Sequence, residues 1–233
     1  DRPVAQADGS RPGSATEVPG QPSAPIAAPK GLTSTWHGPA LADWRVGGLV
    51  LIAALILFFW GVGSFGLWDP WEVHYGEVGR QMVERGDWIS PWWGSHWGHP
   101  GKNPEGEYFF SKPVLLLWTM GIGIKLFGLQ DGSLRYGTAL IAVLGVMAAY
   151  LAGARIWTRR AGVLMAAAVM CSPFYAMLGR QAQTDMPFVG LMTVAMAAMM
   201  LALFGRDRDD PLDKATWWTW VAFTLAVTLP QLE

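Results

Sequence analysis

The chain has 233 residues, 52% of them apolar and 15% charged, with 14 Trp, 28 Gly and a formal net charge of -1. A soluble domain carries roughly 25% charged residues, whereas long charge-free runs mark a membrane protein. No basic excess exists to release counterions from a polyanion, which argues against nucleic acid as a partner. Cys171 is the only cysteine, so a disulfide scaffold is excluded.

Residues 1–35 are mostly Pro, Ala, Gly, Ser and Gln with scattered charges. Such a segment buries too little surface to offset its ordering entropy, so residues 1–43 are expected to form a disordered tail. Five apolar stretches follow, at 46–67, 137–154, 161–179, 186–205 and 215–232, none of them carrying a charge. At 1.5 Å per residue each spans about the ~30 Å of a hydrocarbon core. A cleaved signal peptide would have a shorter apolar core nearer the terminus, and helices of a soluble bundle would show a polar face. The expected fold class is all-α, with polytopic transmembrane helices over 44–233. The chain starts with Asp, and its last apolar run reaches the final residues. It therefore reads as a piece of a longer protein.

A sixth apolar segment, 113–129, has only 12 uncharged residues before Lys125. That is roughly 18 Å of helix, which suits an interfacial or re-entrant helix better than a span. Arg155, Arg159 and Arg160 cluster between two spans and are placed in the cytoplasm by the positive-inside rule, with Arg45 and the tail. The loop 68–112 and the segment near Asp185 are then external, and the loop 206–214 is cytoplasmic.

The external loop carries the chemistry. Pro70 can open a helix at its first position, and Val73, Gly76, Val78, Met82 and Val83 form an apolar stripe opposite Glu77, Arg80 and Glu84. An amphipathic surface helix over 71–85, stopped by Gly86, is expected. Asp69 and Glu72 lie three apart and can share a face. Either Asp69 caps the helix and Glu72 complements its dipole, or the two carboxylates do acid–base work. Four Trp and two His fill residues 88–100, where Trp anchors at an interface are the ordinary explanation. His96 and His99 make half of a metal site at most, so no metal is assigned, and a divalent ion is only weakly supported. Lys112, before Pro113, either snorkels to headgroups or binds an anion. Arg180 and Asp185 interrupt two apolar runs, and form either a simple pair or a functional site.

Together these residues resemble the GT-C fold, lipid-dependent glycosyltransferases of the protein mannosyltransferase and aminoarabinose (lipid A) transferase type. The similarity lies in Asp69-Pro70-Trp71-Glu72-Val73-His74-Tyr75-Gly76-Glu77, then Gly86-Asp87-Trp88, then Phe110-Ser111-Lys112-Pro113. It continues through Leu126-Phe127-Gly128, Ser133-Leu134-Arg135-Tyr136 and the run from Arg180 to Pro187. It covers about residues 44–205, with the elements in order. Ser111 stands where the aminoarabinose branch usually has Glu, which weakens metal dependence and that substrate; the stretch 94–107, with His96, His99 and Lys102, is longer than usual.

The resemblance implies transfer of a sugar from a polyprenyl-phosphate donor to a lipid, protein or glycan hydroxyl at the external face of a bacterial inner membrane. Asp69 and Glu72 would be catalytic, with Asp69 as the base. Lys112, Tyr75, Arg80, Arg180 and Asp185 would bind substrate, Lys112 at the leaving phosphate. The competing readings are a transporter with an Arg180/Asp185 relay, or a non-catalytic assembly subunit.

Overall fold

Helices dominate the computed structural model, which describes residues 44–94, 106–204 and 224. The tail 1–43, residues His96, His99 and Lys102, the loop 206–214 and, apart from Thr224, the run 215–232 lie outside the described residues. In chain order the elements are α1 (Trp44–Phe59), α2 (Trp71–Arg85), β1 (Trp92–Trp93), β2 (Glu107–Tyr108) and α3 (Val114–Phe127). After them come α4 (Asp131–Ile156), α5 (Arg159–Met170), α6 (Pro173–Leu178) and α7 (Asp185–Phe204).

The first apolar run is shorter as a helix than its hydropathy predicts. Helix α1 ends at Phe59 rather than near Leu67, because Gly61 takes φ 64°, a left-handed conformation that glycine adopts without penalty. The chain then turns through Gly63 and Gly66, and the Ser64 hydroxyl donates to the Gly61 carbonyl at 2.6 Å.

Helix α2 has the predicted bounds. Gly86 at φ 71° stops it, while Pro70 occupies the cap position rather than the first helical turn. Its buried stripe differs from the expected one, however. Glu72, Tyr75, Gly76, Val78, Gly79 and Met82 point inward, whereas Val73 and Val83 are only half-buried. The inward face therefore contains a carboxylate.

Helix α3 has 14 residues, roughly 21 Å, and is the short helix expected over 113–129. It turns at Gly128 and returns antiparallel along the start of α4. A Cβ on Gly123 would overlap the Ser133 carbonyl, and one on Gly137 would overlap Thr119, so small residues let the two backbones close. Gln130 and Ser133 bond each other's backbone in a reciprocal cap, which starts α4 six residues before its apolar run. Leu116, Leu117 and Met120 of α3 pack with Tyr75, Val78 and Met82 of α2 and with Leu134 of α4 in one core.

A second core joins α1, α4, α5, α6 and α7 through Phe58, Ala142, Val143, Val146, Tyr175 and Met186. Helix α1 runs antiparallel to α4, since Gly47 lies against Tyr150 and Gly63 against Gly132. The run 161–179 is not one continuous helix. Pro173 lacks an N–H to continue the ladder and disfavours helical backbone before it, so α5 stops at Met170 and α6 restarts at Pro173.

Helices α4, of 26 residues, and α7, of 20, are long and apolar enough to cross a membrane. Their outer faces expose Leu140, Leu144, Phe188 and Met196, as helices against lipid do.

Candidate active site

The Glu72 carboxylate forms the centre of this end of the molecule, and it is fully buried. Its Oε1 and Oε2 accept from Arg135 Nε at 2.9 Å and Nη2 at 2.6 Å. The N–H of Trp68 reaches Oε2 at 2.8 Å and that of Ala182 reaches Oε1 at 2.5 Å. Burial by itself pushes this carboxyl up, but the Arg135 guanidinium and the two backbone N–H groups outweigh it and hold it below the usual carboxylate range. Four bonds use every acceptor site that a carboxylate offers. Glu72 thus has no lone pair left for a substrate proton, which corrects its assignment as a catalytic group.

Arg135 is equally complete. Its remaining donors go to the carbonyls of Val62 at 2.9 Å, Phe65 at 2.8 Å and Gly66 at 2.8 Å, and its guanidinium stacks on the Phe65 ring at 4.1 Å. Five N–H groups meet five acceptors. The pair therefore ties the turn after α1, the start of α2, the start of α4 and the approach to α7 into one frame. Sequence reasoning placed Arg135 within a family pattern and gave it no role. A signal was nonetheless present, because a cation at the mouth of an apolar helix needs a partner.

Asp69 stands at the edge of this frame. Its side chain is exposed and does not cap α2, because Glu72 already takes the Trp68 N–H. Among the described residues its carboxylate has no hydrogen-bond or ionic partner. It is free to accept a proton, and the capping explanation fails.

Lys112 and Asp185 come together. Both line a cavity of about 190 Å³ with Pro113, Leu116, Thr184 and Phe188, although 73 positions separate them. Tyr75, six residues after Asp69 and in the second turn of α2, is buried and its hydroxyl meets Thr184 beside Asp185. Burial, opposed by the Thr184 bond and helped by the Asp185 charge, pushes the Tyr75 phenol up, so it stays protonated. Tyr75 thereby links the α2 start to the Lys112 cavity.

Arg80 and Arg180 are engaged elsewhere. Arg80 makes a forked pair with Glu77 at 2.8 Å and 2.7 Å and also pairs with Glu84, all within α2. Arg180 donates to the carbonyls of Leu57 at 2.5 Å and Trp60 at 2.9 Å, where the end of α1 leaves acceptors unfilled. Neither lines the Lys112 cavity, and the bonds of Arg180 run to the end of α1 rather than to Asp185.

An aromatic layer flanks α2. Strands β1 and β2 pair antiparallel, Trp92 opposite Tyr108 and Trp93 opposite Glu107, and no strand was expected here. Trp93 and Phe109 sit 4.1 Å and 5.0 Å from the His74 ring. His74 Nε2 and Trp93 Nε1 are buried without a hydrogen-bond partner among the described residues, and burial pushes the imidazole down, toward its neutral form. Among the described residues no three His, Cys, Asp or Glu side chains gather around a point that could hold a metal ion.

Against known proteins, residues 111–230 match the model of the dolichyl-phosphate-mannose-protein mannosyltransferase family. The chain is 29% identical over 162 residues to the undecaprenyl phosphate-alpha-4-amino-4-deoxy-L-arabinose arabinosyl transferase of Pseudomonas aeruginosa, covering 69% of this chain and 27% of that protein. It is 28% identical over 180 residues to an uncharacterized protein of Aquifex aeolicus, covering 77% of this chain and 33% of that one. The crystal structure of ArnT from Cupriavidus metallidurans bound to undecaprenyl phosphate superposes with a TM-score of 0.66 at 25% identity, over 83% of this chain and 32% of that one. Its apo state gives 0.67 at 26% identity, over 83% and 33%. The chain thus has a mostly helical, GT-C type membrane fold, and spans about a quarter to a third of the relatives it matches.

Proposed function

Because this chain belongs to the dolichyl-phosphate-mannose-protein mannosyltransferase family, we propose that it is the N-terminal, site-forming part of a membrane glycosyltransferase. The reaction moves a sugar from a polyprenyl phosphate to an acceptor hydroxyl at the external face of a bacterial inner membrane. The observation that carries the reading is the contrast among the charged candidates. Asp69 and Lys112 are exposed and unpartnered among the described residues, while Glu72, Arg80 and Arg180 are bound to protein groups.

In this mechanism the acceptor oxygen attacks the anomeric carbon as the bond from that carbon to the phosphate oxygen breaks. Asp69 takes the hydroxyl proton. The electron pair leaves on the polyprenyl phosphate, whose growing charge is met by the Lys112 ammonium. Asp185 and Tyr75 shape the cavity beside Lys112, and Glu72 with Arg135 holds the turn from which Asp69 projects. Lipid and protein hydroxyls both remain acceptors. The test is transfer of radiolabelled sugar from a polyprenyl-phosphate donor in membranes containing the full-length protein; no transfer to lipid, protein or glycan would end the proposal.

Lys112 gives a sharper test. Lys112→Arg keeps the charge but replaces a compact ammonium with a wide planar fork, and Lys112→Met keeps only the apolar stem. Transfer rates at saturating acceptor, with donor varied, are expected to fall in the order Lys, Arg, Met at equal protein levels. Equal rates for all three would make Lys112 a snorkelling side chain.

The proposed topology puts the start of α1 and the Arg155–Arg160 end on the cytoplasmic side, with the loop 68–112 outside. The antiparallel course of α1 and α4 supports it, since the same end of the pair holds Gly47 and Tyr150. A cysteine at position 95 is expected to react with an impermeant thiol reagent in intact cells, while one at position 159 stays protected. Labelling at 159 from outside would turn α3 into a true span.

A further inference from the structure

Trp71 follows Asp69 by two positions and opens helix α2. Its indole stacks on the Tyr75 ring, with centroids 6.3 Å apart and planes 24° from parallel. Tyr75 in turn reaches Thr184 beside Asp185, and both of those residues line the Lys112 cavity. The indole is therefore two residues from the proposed base and one ring from the proposed phosphate site.

A large aromatic side chain gains most from being buried, yet Trp71 is 56% exposed. Among the described residues Tyr75 is its one ring partner. Its backbone is nonetheless held on both sides. The Glu72 N–H donates to the Trp68 carbonyl at 3.0 Å, and the His74 N–H to the Pro70 carbonyl at 3.0 Å. The Trp68 N–H donates to Glu72 Oε2 at 2.8 Å, and Glu72 is itself fixed to Arg135. The turn thus presents the open part of the indole in one orientation. An interfacial anchor needs no such frame, because indoles settle among headgroups by partition alone.

We propose that the open part of the Trp71 indole is the platform on which the sugar ring of the donor stacks, between Asp69 and the Lys112 cavity. The inference rests on the reading of the site as a polyprenyl-phosphate sugar transferase. A pyranose carries hydroxyls round its edge and C–H bonds across its faces. Those C–H bonds are weakly positive and suit the negative face of an indole, while the hydroxyl edge is left for polar groups. The ring concerned is the donor's, because its anomeric carbon is tied to the phosphate and so lies beside Lys112. An acceptor hydroxyl on a lipid or protein brings no ring with it.

The test is ligand retention by the purified full-length protein, read by native mass spectrometry so that no turnover is needed. Polyprenyl-phosphate mannose and polyprenyl-phosphate aminoarabinose are each offered against sugar-free polyprenyl phosphate. The wild-type protein is expected to retain at least one sugar-bearing lipid in preference. Trp71→Leu keeps an apolar side chain without a ring, and should cut that preference roughly three- to tenfold. Retention of sugar-free polyprenyl phosphate should stay as it was. Trp71→Phe restores an aromatic face and should restore most of the preference. Trp157→Leu removes an equally exposed indole just after α4 and should leave the preference intact. Lys112→Met should lower retention of both lipids alike; unchanged retention there would overturn the phosphate site and not the platform. A wild-type protein without preference, a preference that survives Trp71→Leu, or a loss matched by Trp157→Leu would each overturn the platform. Survival in Trp71→Leu would make Trp71 an anchor among headgroups.

Discussion

Asp69→Asn in the full-length protein is expected to lower sugar transfer by about 10²–10⁴-fold, with membrane insertion and thermal stability unchanged. Asn keeps the size and an oxygen but does not accept a proton. A stability loss is not expected, because the Asp69 side chain is exposed and caps nothing. Had it been a cap, Asn would still serve about as well. The measurement is the initial rate of transfer from a polyprenyl-phosphate donor at matched protein levels. An Asp69→Asn enzyme within a few-fold of wild type would remove the base from the proposed mechanism.

The second large effect is expected at the Glu72–Arg135 pair, and in the opposite pattern. Arg135→Ala leaves a buried carboxylate without its cation, a change of about 3–5 kcal/mol. Glu72→Gln strands the guanidinium instead and should also lower the thermal midpoint of the detergent-solubilised protein. A Glu72 that acted in catalysis would give the reverse result, an inactive but fully stable Glu72→Gln protein. Replacing both partners by apolar residues often costs little for a simple buried pair. Here it should not rescue stability, because the carbonyls of Val62, Phe65 and Gly66 and the N–H groups of Trp68 and Ala182 would lose their partners.

The same pair sets a pH dependence. The folded-state pKa of Glu72 lies below its ordinary value, so its contribution is present above the unfolded pKa and is lost as pH falls through the folded one. Thermal stability of the wild-type protein should therefore drop on acidification below the ordinary carboxylate range. Glu72→Gln should flatten that part of the profile.

Helix α2 was legible in the sequence because its boundaries are chemical, Pro70 before it and Gly86 after it, with Glu77, Arg80 and Glu84 along its outer face. The length of α1 was not, since hydropathy counts Gly61, Gly63 and Gly66 as apolar while the backbone uses them to turn. The break at Pro173 was hidden for a similar reason, an apolar average passing over a residue that ends helices. Strands of two residues have no alternation to detect.

Among the candidates, Asp69, Lys112 and Asp185 stood out by their place beside apolar runs, and Lys112 and Asp185 come to line one cavity. The use of Glu72 depended on Arg135, which follows 63 residues later and leaves no trace in local spacing. Arg80 and Arg180 looked available for the same reason. Their partners, Glu77 and Glu84 for one and the end of α1 for the other, emerge only when the helices are in place.

That long-range closure also orders events during synthesis. Glu72 leaves the ribosome well before Arg135, and before Ala182, which lies 110 residues downstream. At the usual elongation speed of roughly 5–20 residues per second, the carboxylate waits about 3–13 s for its guanidinium. During that interval α2 has a charged inner face and no partner to neutralise it, so it cannot yet enter an apolar core. Its docking onto the membrane helices must follow the arrival of α4, and the last backbone donor must follow α6. The loop holding Asp69 is thus assembled late, and a nascent chain cut short before Arg135 has every residue of α2 but no means of burying it.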